Sequence, residues 1–269
     1  MLRKWIALFF IGTSLFGLEN IPWFGNVYEL YFTSKYAFSR YTKVNRALPT
    51  SHYRSNDNLL YFDLDFPFSS NWSVDGDVDF FGSSKQKFNF RSGALQLRYL
   101  LLDDIVGDPV SISIGVNVRG VSQNGLYDVS TPYHGRVEGQ VHFAIGKEFA
   151  HMDEWKFRIW GFGNLGFSST GSPWLKEIFS MEGNIEDTHL VGTLVEAMQG
   201  YGKRDHVYID HFQGYGKYRQ RIIDVSLWYG RRFGEWGSLR LEYKRRVFAR
   251  VAPAGVNTFA ITYMLPFSF

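Results

Sequence analysis

The residues of this chain best suited to chemistry are Asp77 and Asp79, two apart, and two adjacent Asp–His pairs, Asp205-His206 and Asp210-His211. On an extended strand Asp77 and Asp79 point the same way, because strand side chains repeat with period two. Two carboxylates facing a His beside an Asp could position a water and take its proton, which is hydrolytic general-base chemistry. Little else offers a reaction. The chain has no cysteine, so thiol catalysis, disulfides and a lipid-modified cysteine are excluded. No G-x-S-x-G elbow occurs. Gly161 and Gly163 fall within a strand-like stretch, where they relieve crowding rather than cradle phosphate. The spacing of His206 and His211 specifies no metal site, so neither a metal nor a cofactor is expected.

Such side chains act only if the chain holds them, and its two ends say how. Residues 259–269 alternate strictly: Phe259, Ile261, Tyr263, Leu265, Phe267 and Phe269 lie on one face, with Ala260, Thr262, Met264 and Ser268 on the other. A terminal strand with this pattern and a Phe-Ser-Phe finish resembles the closing strand of the bacterial outer-membrane β-barrel class. That resemblance implies that Phe269, Phe267 and Tyr263 serve as a signal read by the barrel assembly machinery. At the other end, Arg3 and Lys4 precede an apolar run over 5–17, too short to span a bilayer as a helix. This pattern predicts a signal peptide over 1–17 and a single barrel domain over 18–269. Without Arg3 and Lys4, 27 bases face 26 acids, so nucleic acid is not an expected partner. Aromatic residues make up 18% of the chain, which suits girdles at two membrane interfaces.

Ten segments alternate as barrel strands should. Connections 67–71, 103–108, 150–154 and 234–237 are all short, whereas of the alternate set 40–57, 83–87, 120–135, 168–217 and 250–255 three are long. Bacterial barrels separate short periplasmic turns from long outer loops in this manner. The expectation is an all-β, transmembrane antiparallel barrel of about 10 strands, with 12 as the alternative, in the outer membrane of a Gram-negative bacterium and monomeric. Ser172-Pro173 before 174–182 reads as the capped start of a short helix, so the 168–217 loop is expected to be partly helical. A hairpin within that loop would give the twelve-stranded alternative.

Ten strands with Asp77 and Asp79 on one side and Asp210 and His211 on the other are similar to the omptin surface proteases. That resemblance implies a hydrolytic site at the barrel mouth. Omptins separate their Asp and His by one residue, whereas both pairs here are adjacent. The leading reading is therefore non-enzymatic, a narrow solute channel or a surface structural or interaction protein.

The inward positions carry a charge network: Glu29, Asp63, Asp65, Asp75, Asp77 and Asp79 on the first three strands, then Arg98, Arg119, His142, Lys156, Arg158, Arg240 and Lys244. Paired across a narrow interior they would fill it; unpaired, they would select small ions by their field. At the outer rim Lys217, Arg219, Arg221, Arg245 and Arg246 are placed to meet phosphates of membrane lipid and lipopolysaccharide.

Overall fold

The structure, a computed structural model, describes residues 21–151 and 154–268. The expected signal peptide and the terminal Phe269 lie outside the described residues.

Twelve long strands make one antiparallel meander: β1 (Glu29–Val44), β2 (His52–Pro67), β3 (Trp72–Gly82), β4 (Asn89–Leu102), β5 (Ser111–Val121), β6 (Val137–His151), β7 (Glu154–Ser168), β8 (Trp174–Ile185), β9 (His189–Gly200), β10 (Arg221–Arg232), β11 (Ser238–Arg250) and β12 (Asn257–Ser268). Each pairs with the next, and β1 closes the barrel by pairing with β12 from Glu29↔Ser268 to Arg40↔Asn257. Closure leaves no unpaired edge, the condition for a sheet in a bilayer, where no water satisfies stray backbone groups.

The expectation of ten strands is corrected to twelve. Residues 174–182 are not helical: β8 and β9 form a hairpin, paired from Trp174↔Gly200 to Ile185↔His189. The cause is a local weakening of the usual inside-outside contrast. Trp174, Ile178, Leu190 and Met198 are buried inside, while Phe179, Met181, Val191 and Val195 face outward. With large apolar residues on both faces, the period of two is hidden and the spacing imitates a helix. The one α-helix among the described residues, Gln123–Leu126, lies in another connection, between β5 and β6.

Outward residues form the membrane-facing belt; Leu95, Val118, Leu227 and Phe259 are 58–70% exposed to the surroundings of the chain. Aromatic pairs mark its borders. Trp72–Tyr99 (4.7 Å) and Phe149–Phe157 (6.0 Å) lie toward the end that carries the termini, and Phe80–Phe88 (6.4 Å) lies toward the loop end. The β3–β4 ladder carries a bulge at Arg91: Asp79 pairs with Ser92 but Phe80 pairs with Phe90, which turns both Arg91 and Ser92 inward. Inside, glycines make room for rings from neighbouring strands. A Cβ on Gly166 would meet the Trp174 indole at 2.1 Å, and one on Gly192 would meet Trp228 at 2.4 Å. Each glycine is the direct cross-strand partner of its tryptophan.

Candidate functional site

The interior is a charged chamber between two apolar plugs. Alternation on β2 and β3 turns Asp57, Asp63, Asp65, Asp75, Asp77 and Asp79 inward, all 5% exposed or less. Asp63 lies directly opposite Asp77, and Asp65 opposite Asp75, pairings that repel unless a cation intervenes. Two arginines intervene. Arg98 on β4 reaches Asp65 (3.4 Å) and Asp75 (3.5 Å), and Arg119 on β5 reaches Asp77 (2.7 Å) and Asp79 (3.5 Å). The Asp79 carboxylate also accepts hydrogen bonds from Ser92 and from the Tyr133 hydroxyl.

The opposite wall, from β8 to β11 and β1, holds both signs. Glu196 lies between Lys176 (3.1 Å) and Lys244 (3.0 Å), and Glu242 between Lys35 (3.6 Å) and Arg240 (3.4 Å). Asp224 takes two bonds from Arg246 at 2.7 and 2.9 Å. Lys176 and Glu196 have no counterpart among the sequence-predicted charges because they sit on the β8–β9 hairpin, whose alternation is hidden. Between the walls lies a cavity of about 450 Å³, lined among others by Asp57, Asp77, Asp79, Arg119, Lys35 and Lys244.

Other sequence-predicted residues are placed as follows. His142 is buried inside, against Phe162. Arg158 is bound to Glu148 between Trp23 and Trp155. Arg240 also lies over Trp228 at 4.4 Å. Glu29 accepts bonds from Asn26 and Tyr31 near the terminal end. Lys156 is not in the interior; it is exposed and pairs with Glu154, because a register break between Phe149 and Ala150 ends regular alternation at that rim. Lys217, Arg219, Arg221 and Arg245 are exposed toward the loop end, but Arg246 is not part of that rim. It shares the inward face of β11 with Glu242 and Lys244. Asp77 and Asp79 are not joined by Asp210 and His211. Those two are exposed on the 3-10 turn Ile209–His211 and do not line the chamber. Phe267 is exposed on the outer face, and the Tyr263 hydroxyl donates to the Trp236 carbonyl.

The terminal end is filled by residues 21–24. Trp23 is 1% exposed and donates from its indole Nε1 to Asp104 Oδ1 (2.7 Å). Arg98 Nη1 donates to the Ile21 carbonyl (3.2 Å) and stands 4.8 Å over the Phe24 ring. Trp155, Trp160, Trp228 and Met264 complete this apolar layer. The loop end is filled by the β9–β10 connection: Phe212, Tyr215 and Tyr218 pack with Tyr41, Val44 and Val129. Its strand Val207–Tyr208 pairs in parallel with Ala47–Leu48. The β5–β6 connection joins it, with Tyr215 Oη donating to the Val129 carbonyl (2.6 Å) and His134 stacked on Trp174 (3.9 Å).

These two plugs are expected to respond to acid at different pH. Burial pushes the His134 imidazole from its ordinary 6.5 down to about 3. A lowered histidine value favours the closed loop fully above pH 6.5, and that contribution is lost as pH falls toward 3. Burial alone would raise the Asp104 carboxyl, but donation from Ser111, the Glu148 N–H and the Trp23 indole holds it below the ordinary 3.8. Its contribution to the terminal plug is therefore present above pH 3.8 and is lost only below it. We expect residues 130–136, followed by hydrogen exchange corrected for intrinsic rates, to open more often as pH falls below 6, by less than tenfold per unit because Glu138, which accepts the His134 N–H, loses that bond in the same opening. Residues 21–26 should hold until lower pH. Release of residues 21–26 first would contradict this order.

No protein-family model matches the chain, and no curated protein sequence matches it. Among solved structures it is similar to an outer-membrane channel from Pseudomonas putida F1, with 13% identity and a TM-score of 0.66, covering 90% of this chain and 96% of that one. The NanC porin gives 6% identity and a TM-score of 0.59 over 87% and 98% of the two chains. The KdgM porin gives 8% and 0.51 over 87% and 99%. At such identities the likeness speaks for the fold, which is that of the outer-membrane β-barrels. Closure, the apolar belt and the aromatic borders agree with this fold, so the chain is an outer-membrane barrel protein.

Proposed function

We propose that this barrel is a narrow, gated, non-enzymatic channel for small polar solutes in the outer membrane of a Gram-negative bacterium. The observation that carries the reading is the 450 Å³ chamber of charged and polar side chains enclosed within the barrel. A barrel needed only for anchorage would gain by filling that volume with apolar side chains, since buried ion pairs add little net stability. In this reading the two plugs are gates, and a solute passes when one yields. The carboxylates on β2 and β3 outnumber Arg98 and Arg119, which favours cations at low ionic strength. Lys217, Arg219, Arg221 and Arg245 would meet lipopolysaccharide phosphates, and the β12 aromatics would engage the assembly machinery.

The test is the current through the refolded chain in a planar bilayer. Discrete, small, flickering steps with cation preference are expected. An inserted barrel that stays silent from pH 7 to pH 4 would refute the channel.

A further inference from the structure

The polar lining of the chamber is unbalanced in a way that specifies a ligand. Asp79 Oδ1, Asn117 Oδ1 and Asn164 Oδ1 accept no hydrogen bond from any protein group, although their residues are only 5%, 7% and 5% exposed. A buried acceptor without a donor is costly, so three on one wall is an arrangement with a reason. They sit on β3, β5 and β7, and all three residues line the cavity. Asn117 lies in register between Gln96 on β4 and Gln140 on β6. Asn164 Nδ2 donates to Gln140 Oε1 (2.5 Å), so four amides run side by side across adjacent strands.

Charge gives the ligand its polarity. Within the cavity this wall holds Asp57, Asp77, Asp79 and Glu138 against Arg119 alone. The facing wall holds Lys35, Lys176, Lys244 and Arg246 against Glu196, Asp224 and Glu242. A transverse field therefore crosses the chamber, acidic and rich in acceptors on one side, basic on the other. A simple cation would face lysines, a simple anion would face aspartates, and a neutral sugar would leave the field unused.

We propose that the chamber binds a small amphoteric solute carrying both an N–H-bearing cation and a carboxylate. The ammonium or guanidinium supplies the donors that Asp79, Asn117 and Asn164 lack, and the carboxylate turns toward Lys35, Lys176 and Lys244. A cavity of about 450 Å³ suits a molecule the size of an amino acid or a short peptide. This assignment rests on the channel reading for how the solute arrives, but binding can be measured without conduction.

The test uses L-arginine as probe on the full mature chain, with L-arginine methyl ester and glucose for comparison. L-Arginine is expected to interrupt the single-channel current in a concentration-dependent manner. The ester, which lacks the carboxylate, and glucose should block at least tenfold more weakly. Asn117→Ala removes a side chain that bonds to nothing in the protein, so it should fold, as judged by the mobility shift of the unheated barrel. It should weaken the arginine block several-fold relative to its own open-channel current, and Asp79→Asn should weaken it further. Val116→Ala, on the lipid-facing side of β5, should keep the original value. Equal block by all three probes, or unchanged block in Asn117→Ala and Asp79→Asn, overturns the assignment while leaving the channel intact. If no current is seen, calorimetry on the detergent-folded protein decides. Arginine binding that Asn117→Ala weakens upholds the site without the channel, and no binding refutes it.

Discussion

Arg98→Ala is expected to destabilise the barrel by about 3–5 kcal/mol, the loss typical when one partner of a buried ion pair is removed. Arg98 is 1% exposed and touches Asp65 and Asp75, which are themselves direct cross-strand neighbours on β2 and β3. Without the guanidinium, these carboxylates must either repel one another or take up protons, and both routes oppose folding at neutral pH. The same side chain holds the Ile21 carbonyl and lies over Phe24, so its loss also loosens the terminal plug. Equilibrium unfolding in urea, followed by tryptophan fluorescence in detergent, measures the change. The triple variant Arg98→Met, Asp65→Asn, Asp75→Asn should recover most of the loss, because replacing a whole buried charge cluster is often close to neutral. A single variant within 1 kcal/mol of the parent would show that the cluster does not hold this end of the barrel.

Trp23→Ala is expected to give the largest functional change, a several-fold rise in single-channel conductance with the barrel still folded. The indole is anchored by Asp104 and by Arg158, whose guanidinium stands 4.8 Å over the ring. It packs where Gly146 leaves room; a Cβ there would meet Trp23 at 2.7 Å. Truncating a buried tryptophan forfeits about 3–5 kcal/mol, enough to undock a short segment that no barrel strand pairs with. The strand ladders do not depend on it, since closure runs through β1 and β12 from Glu29 onward. Urea midpoints should therefore move little while conductance rises. If conductance stays at the parental level with residues 21–26 shown by hydrogen exchange to be released, the loop end is the controlling gate.

The outer face of the barrel was legible in the sequence, and the reason is the solvent. Lipid demands an apolar residue at every second position of every strand, so β1 to β7 and β10 to β12 announce themselves without knowledge of their neighbours. The division of short and long connections also survived, because adding one hairpin shifts the count by two and preserves which end each loop occupies. The β8–β9 hairpin was not legible, since its inner face mixes Ile178 and Leu190, which pack into the tryptophan layer, with the charged Lys176 and Glu196.

The interior charges divide along the same line. Alternation sufficed to predict that Asp63 to Asp79 and Arg98, Arg119, Arg158, Arg240 and Lys244 would face inward, because facing is a local property of the strand. Which of them meet is not local. Lys176 and Lys244 share Glu196 from two different strands, and Arg246 left the rim for Asp224, which the register of β10 against β11 alone decides. Residues 21–24 lie in no alternating segment, and only the closed barrel shows them to be a plug held by Asp104 and Arg98. By itself the sequence determined the class of fold and which face of most strands meets lipid, both set by period and by the bilayer. The tertiary structure alone decided the strand count, the ion-pair partners, the plugs and the chamber, because each depends on groups far apart in the chain brought together by closure.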